Sequence, residues 1–133
     1  MGKYFITEEF TRSAMAQAHG FANEPSAAEK CNIELLISEL LDPLREMWDA
    51  PIMINSGYRC AELNALVGGA SCSQHMSGEA ADITAGSHSA NSALFDMLLE
   101  SDLEFDQLID EKNFSWLHVS YRKGNNRKQV LSL

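Results

Sequence analysis

No apolar run in this 133-residue chain is long enough to span a bilayer or to form the core of a secretion signal, and the opening stretch from Met1 turns acidic by Glu8 and Glu9. The expectation is a protein made in the cytoplasm, without a membrane partner. Positive charge is also scarce. Ten Lys and Arg residues against nineteen Asp and Glu leave a net charge of -9 and a pI near 4.8. That balance excludes a broad basic face for gripping phosphates, so no nucleic-acid partner is expected. Cysteine is limited to Cys31, Cys60 and Cys72, an odd number without CxxC spacing. Reduced thiols fit that pattern better than a disulfide framework or a structural zinc knuckle. The HExxH arrangement of helical zinc proteases is absent as well.

What the chain does have is enough apolar residue content, 45%, to close one core, and a length suited to a single domain over residues 1–133. The segment Thr7 to Ala18 reads as one or two short helical turns that stop at Gly20. Ser26-Ala-Ala-Glu29 is a capping-box pattern, and Ile33, Leu36, Ile37, Leu40, Leu41 and Leu44 follow at helical spacing. This predicts the main core helix, kinked or broken by Pro43, with Leu44 to Trp48 continuing at a new angle. Further along, Ile52–Asn55 reads as a strand, Ala61–Val67 as a short helix closed by Gly68-Gly69, and Ala80–Thr84 as a strand. A helix capped by Ser89 and strands at Phe105–Ile109 and Trp116–Tyr121 complete the pattern. Helices come first and most strands later, which predicts an α+β fold with a small, mainly antiparallel sheet and helices packed on it.

Two segments concentrate metal-competent side chains: Ser73-Gln-His75-Met-Ser-Gly78-Glu-Ala80-Ala-Asp82 and Trp116-Leu-His118-Val-Ser-Tyr121. His75 and Asp82 are too far apart for adjacent turns of one helix, but a loop that doubles back through Gly78 lets them converge. In the second segment the alternation puts Trp116, His118 and Ser120 on one strand face. Two imidazoles and a carboxylate occupy three corners of a tetrahedron and leave the fourth for water, the donor set of hydrolytic zinc sites. His19 and His88 lie in no such context and read as ordinary surface or core histidines.

The pattern Ser-x-His-x-x-Gly-x-Ala-x-Asp followed by Trp-x-His resembles the zinc D-Ala-D-Ala carboxypeptidase and L-alanyl-D-glutamate peptidase family, which includes many phage lysis enzymes. Ser56-Gly-Tyr-Arg59, Leu63-Asn64, Val67-Gly-Gly69, Phe105-Asp-Gln-Leu-Ile109 and Leu41-Asp-Pro-Leu-Arg45 are also family-like. The resemblance implies a hedgehog- and DD-peptidase-like fold, Zn2+ held by His75, Asp82 and His118, and a peptidoglycan stem peptide as substrate of a monomer. It implies further that Arg59 faces that substrate, where its planar fork suits a peptide carboxylate. A general base is still required, and better-known relatives carry their acid three residues before the last histidine. That position is Ser115 here. Glu111 is therefore the expected base, with Asp110 its rival, and Ser73 and Ser77 are expected to orient the ligand loop through hydrogen bonds. Either D-Ala-D-Ala or the L-Ala-D-Glu bond fits as the one cleaved. A phage lysis enzyme of this kind would reach murein after a holin opens the membrane. The competing expectation is a non-catalytic, zinc-stabilised binding module on the same scaffold, as hedgehog-type relatives illustrate.

Overall fold

In the computed structural model, which describes residues 3–133, Ser26 accepts from the Glu29 amide while the Glu29 carboxylate accepts from the Ser26 amide, closing the expected capping box. Two short helices precede it, α1 (Glu8–Thr11) and α2 (Ala14–Ala18), the second capped by Ser13. From Ser26 the chain runs as α3 (Ala27–Leu36), a π-turn at Ile37–Leu41, and α4 (Asp42–Trp48). The irregularity thus falls upstream of the proline rather than after it. Pro43 sits in the first turn of α4, and the widened turn before it relieves the clash its ring would make with the carbonyl four residues back. Ile33, Leu36, Ile37, Leu40, Leu41 and Leu44 are all at most 1% exposed, so the whole predicted stripe is core.

Five strands form one sheet: β1 (Met53–Ser56), β2 (Ala80–Thr84), β3 (Gln107–Glu111), β4 (Trp116–Ser120) and β5 (Gln129–Ser132), in the order β1-β2-β4-β3-β5. Helix α5 (Ala61–Leu66) follows β1, and α6 (His88–Glu100) lies between β2 and β3. Every pairing is antiparallel except β3 with β5. Ala81, Ile83, Leu108, Leu117 and Val119 point to the same side and pack into one apolar cluster with the α3–α4 stripe and with Leu94 and Leu98 of α6. The other side carries Asp82, His118, Ile109, Glu111 and Trp116, as strand alternation requires.

Three expectations are corrected. Strand β1 begins one residue later than Ile52, because Ile52 is taken into the core, and β3 begins at Gln107 because Phe105 and Asp106 are buried ahead of it. Helix α6 is capped by Ser87, whose hydroxyl accepts from the Ala90 amide, so Ser89 is a helical residue. Strand β5 was not foreseen. Its side chains are mostly exposed on both faces, so it has no hydrophobic alternation to read. What secures the approach to it is Asp106, which is 0% exposed and accepts from Arg127 Nε (2.9 Å), Arg127 Nη2 (2.8 Å), the Arg127 amide (3.0 Å) and Gln74 Nε2 (2.8 Å). The hydrogen bonds from Arg127, against the opposing effect of burial, hold the Asp106 carboxyl well below the usual carboxylate range.

Gly78 adopts φ +78°, and a Cβ built there would lie 2.5 Å from the Glu29 carbonyl oxygen. Gly78→Ala should therefore cost about 2–3 kcal/mol in urea denaturation, combining left-handed strain with a backbone clash. Asp106→Asn should lower stability at pH 7 by about 2 kcal/mol. Because the native carboxyl titrates below its unfolded value near 3.9, its contribution is full above that pH and fades on acidification. The gap between wild type and Asp106→Asn should accordingly narrow below about pH 4, measured as denaturation midpoints across pH.

Candidate metal centre and cleft

Asp82 and His118 are direct cross-strand partners on β2 and β4, which puts their side chains side by side on the open face of the sheet. His118 Nδ1 lies 3.1 Å from Asp82 Oδ1. His75 arrives from a loop built of tight turns, in which the Ser73 hydroxyl accepts from the His75 amide and the Ser77 hydroxyl donates to the Gln74 carbonyl. Both serines therefore shape the ligand loop, as expected. Asn32 Nδ2 donates to the Ser77 carbonyl (2.9 Å) and the Arg59 amide to the His75 carbonyl (3.0 Å), pinning the loop to α3 and to the turn after β1.

His75 is 3% exposed, and its Nδ1 sits 2.7 Å from the Gly57 carbonyl oxygen. A carbonyl can only accept, so Nδ1 carries the proton and the lone pair of Nε2 is directed at the cluster, 3.3 Å from Asp82 Oδ1. Gly57 permits this approach because its neighbour is backbone: a Cβ there would lie 2.6 Å from Phe10 Cα.

The donor atoms of His75, Asp82 and His118 all lie within 4.8 Å of one another, and the two rings are 5.0 Å apart between centroids. Bonds near 2 Å to a shared tetrahedral ion require donors roughly 3.3 Å apart. The Asp82 contacts of 3.3 Å to His75 and 3.1 Å to His118 meet that requirement. Two neutral nitrogens and one carboxylate oxygen suit a borderline divalent ion such as zinc. Burial pushes the Asp82 carboxyl up, but the interactions with the imidazoles of His118 and His75 outweigh it and leave the group well below its ordinary range.

Arg59 supports the same carboxylate from behind. Its Nη2 is 3.5 Å from Asp82 Oδ2, Nη1 donates to Asn64 Oδ1 (3.2 Å) and Nε to Ser56 Oγ (3.3 Å). Its guanidinium also lines the cleft over the metal cluster, which has a volume of about 680 Å³. Glu111 ends β3 opposite Trp116, and Trp116 Nε1 donates to Glu111 Oε2 at 3.3 Å. Glu111 lines the cleft and lies diagonally across the ladder from His118, a Cα separation of roughly 7–8 Å. Asp110 is on the opposite face of β3, where it accepts from Ser132 Oγ at 2.5 Å. Ser115 lies in the connecting turn, its hydroxyl donating to the Lys112 carbonyl. His19 stacks on Phe21 and His88 bonds the Asn113 carbonyl, so neither joins the cluster, and all three cysteines are free thiols.

Several residues that shape the site were not anticipated. Asn23 accepts from the Cys60 amide and donates to the Tyr58 and Thr11 carbonyls, clamping the turn that carries Gly57 and Arg59. Asn64 joins Arg59 to the Ala70 carbonyl, and Gln74 joins the His75 loop to Asp106 while its Oε1 stays buried without a hydrogen-bond partner among the described residues. Lone amides in mixed sequence carry no periodic signal, and the partners of Asn23 and Gln74 include residues more than thirty positions away.

Residues 3–120 match the family profile described as Peptidase M15. A stretch of 62 residues is 42% identical to a zinc D-Ala-D-Ala carboxypeptidase from Streptomyces albus G, covering 47% of this chain and 24% of that protein's length. The profile spans most of the chain and takes in all three clustered donors together with Arg59 and Glu111, and on that ground the chain belongs to the peptidase M15 family.

Proposed function

We propose that this chain is a zinc-dependent peptidase that hydrolyses an amide bond in peptidoglycan stem peptides, at D-Ala-D-Ala or between L-Ala and D-Glu. One observation carries the reading: His75, Asp82 and His118 converge on a point beneath an open cleft, with Glu111 on the same sheet face. The identity shared with a zinc D-Ala-D-Ala carboxypeptidase supports both the metal and the substrate class.

His75 Nε2, an Asp82 carboxylate oxygen and His118 Nδ1 are the atoms that would hold the ion. Bound zinc supplies a water acidified to a pKa of roughly 7 and a Lewis acid for the scissile carbonyl. The remaining work belongs to the chain. Glu111 Oε accepts a proton from the attacking water and returns it to the departing amine, as general base and then general acid. The Trp116 indole N–H fixes the Glu111 carboxylate through its other oxygen. Arg59 keeps Asp82 in place and offers its remaining N–H groups to a substrate carboxylate or carbonyl. Asp110 faces away from the cleft and is committed to Ser132, which favours Glu111 for the proton transfer.

Zinc should raise the unfolding free energy of the apo protein, by about 2.7 kcal/mol when free metal is a hundredfold above its Kd, and His118→Ala should abolish that gain in thermal melts. Glu111→Gln should keep the metal-dependent stabilisation while turnover of stem peptides drops by roughly 10²–10⁴-fold, and Asp110→Asn should stay within a few-fold of wild type. Zinc-loaded protein that releases no amine from isolated murein, before or after the Glu111 change, would instead mark a binding module.

A further inference from the structure

The chain carries a net charge of -9, yet three of its five arginines line the cleft over the metal cluster. The acidic residues lining it are Asp82, tied to the two histidines, and Glu111. Arg59 spends Nε, Nη1 and Nη2 on Ser56, Asn64 and Asp82. The other two are differently placed. Both lie on the connection between β4 and β5, where the Arg122 amide donates to Asn126 Oδ1 (2.8 Å) and the Arg127 amide to Asp106 Oδ1 (3.0 Å), so the segment between them is held at each end.

Arg122 uses Nε on Glu79 Oε2 (3.3 Å), and its terminal nitrogens have no hydrogen-bond partner among the described residues. Arg127 uses Nε and Nη2 on Asp106, and its Nη1 likewise has none. Their side chains are 41% and 50% exposed, while the partner carboxylates of Glu79 and Asp106 are 14% and 0% exposed and do not line the cleft. Each acid thus lies behind its guanidinium, fixing it in place, and leaves donors of both arginines unpaired among the described residues at the cleft. In a protein of strongly negative total charge, a cationic rim gathers the field where an anionic ligand must enter.

We propose that Arg122 and Arg127 form an anion subsite that holds a free carboxylate of the bound peptide, making the preferred substrate an acidic peptide with that carboxylate unmodified. The inference rests on the peptidase reading above and names the substrate feature that the cleft selects.

The test compares two stem pentapeptides that differ only in the D-Glu carboxylate, free in one and amidated in the other. Zinc-loaded wild type should show kcat/KM about tenfold higher for the free acid, a preference expected for one charge-assisted contact. In Arg122→Ala the ratio should fall to within about twofold of unity. Arg127→Gln combined with Asp106→Asn, which removes the guanidinium without stranding a buried carboxylate, should lower it as well, and loss of the ratio in either variant supports the subsite. A wild-type ratio near one, or a ratio that survives in both variants, overturns the subsite. Calorimetric Kd values for the same peptides on zinc-loaded Glu111→Gln protein separate the two readings. Preferential binding of the free acid without hydrolysis by wild type would refute the peptidase and leave the subsite standing, whereas hydrolysis without preference would refute the subsite alone.

Discussion

Asp82 and His118 face each other across the β2–β4 ladder, and the rest of the architecture serves to keep that polar pair, joined by His75, at the boundary between core and solvent. A carboxylate and two imidazoles set this deep lose hydration that only close partners can replace. The fold supplies them in three directions: Arg59 on the far oxygen of Asp82, the Gly57 carbonyl on His75, and the ladder itself, which fixes the Asp82–His118 spacing. A one-residue slip of either strand would turn its ligand into the apolar cluster on the other face, so the register of the sheet and the integrity of the site are one constraint.

The same alternation divides labour between the two sides of the sheet. Ala81, Ile83, Leu117 and Val119 bind it to the helical stripe, and the residues between them form the cleft floor. The division also discriminates between two adjacent acids. Asp110 and Glu111 differ by a single step along β3, yet that step sends one towards Ser132 and the other to the cleft beside Trp116.

Much of this was legible in the residues. The capping box at Ser26, the aliphatic stripe from Ile33 to Leu44, and the placement of Trp116, His118 and Ser120 on one face all follow from local rules of period and capping, and the structure bears them out. The α+β architecture and the convergence of His75, Asp82 and His118 were legible too, the latter because glycine and donor types coincide within two short segments. What escaped depends on non-local pairing. Strand β5 has no apolar face, and its parallel union with β3 is secured by Asp106, a side chain whose partners Gln74 and Arg127 lie 32 and 21 residues away. The shift of the helical irregularity from Pro43 to the preceding turn was hidden for another reason: composition locates the obstacle, but the backbone absorbs it where widening costs least.

The union of β3 with β5 bears on the ligand loop as well. The pairing of β2 with β4 uses no residue beyond Ser120, but the buried Asp106 carboxylate has its ion-pair partner only when Arg127 is in place. Through Gln74 the segment bearing His75 shares that dependence. The brace on the His75 loop therefore depends on a residue that lies beyond the end of β4, although none of the three clustered donors does. A chain truncated before residue 127 would keep His75, Asp82 and His118 and still lack the brace behind the loop that carries the first of them.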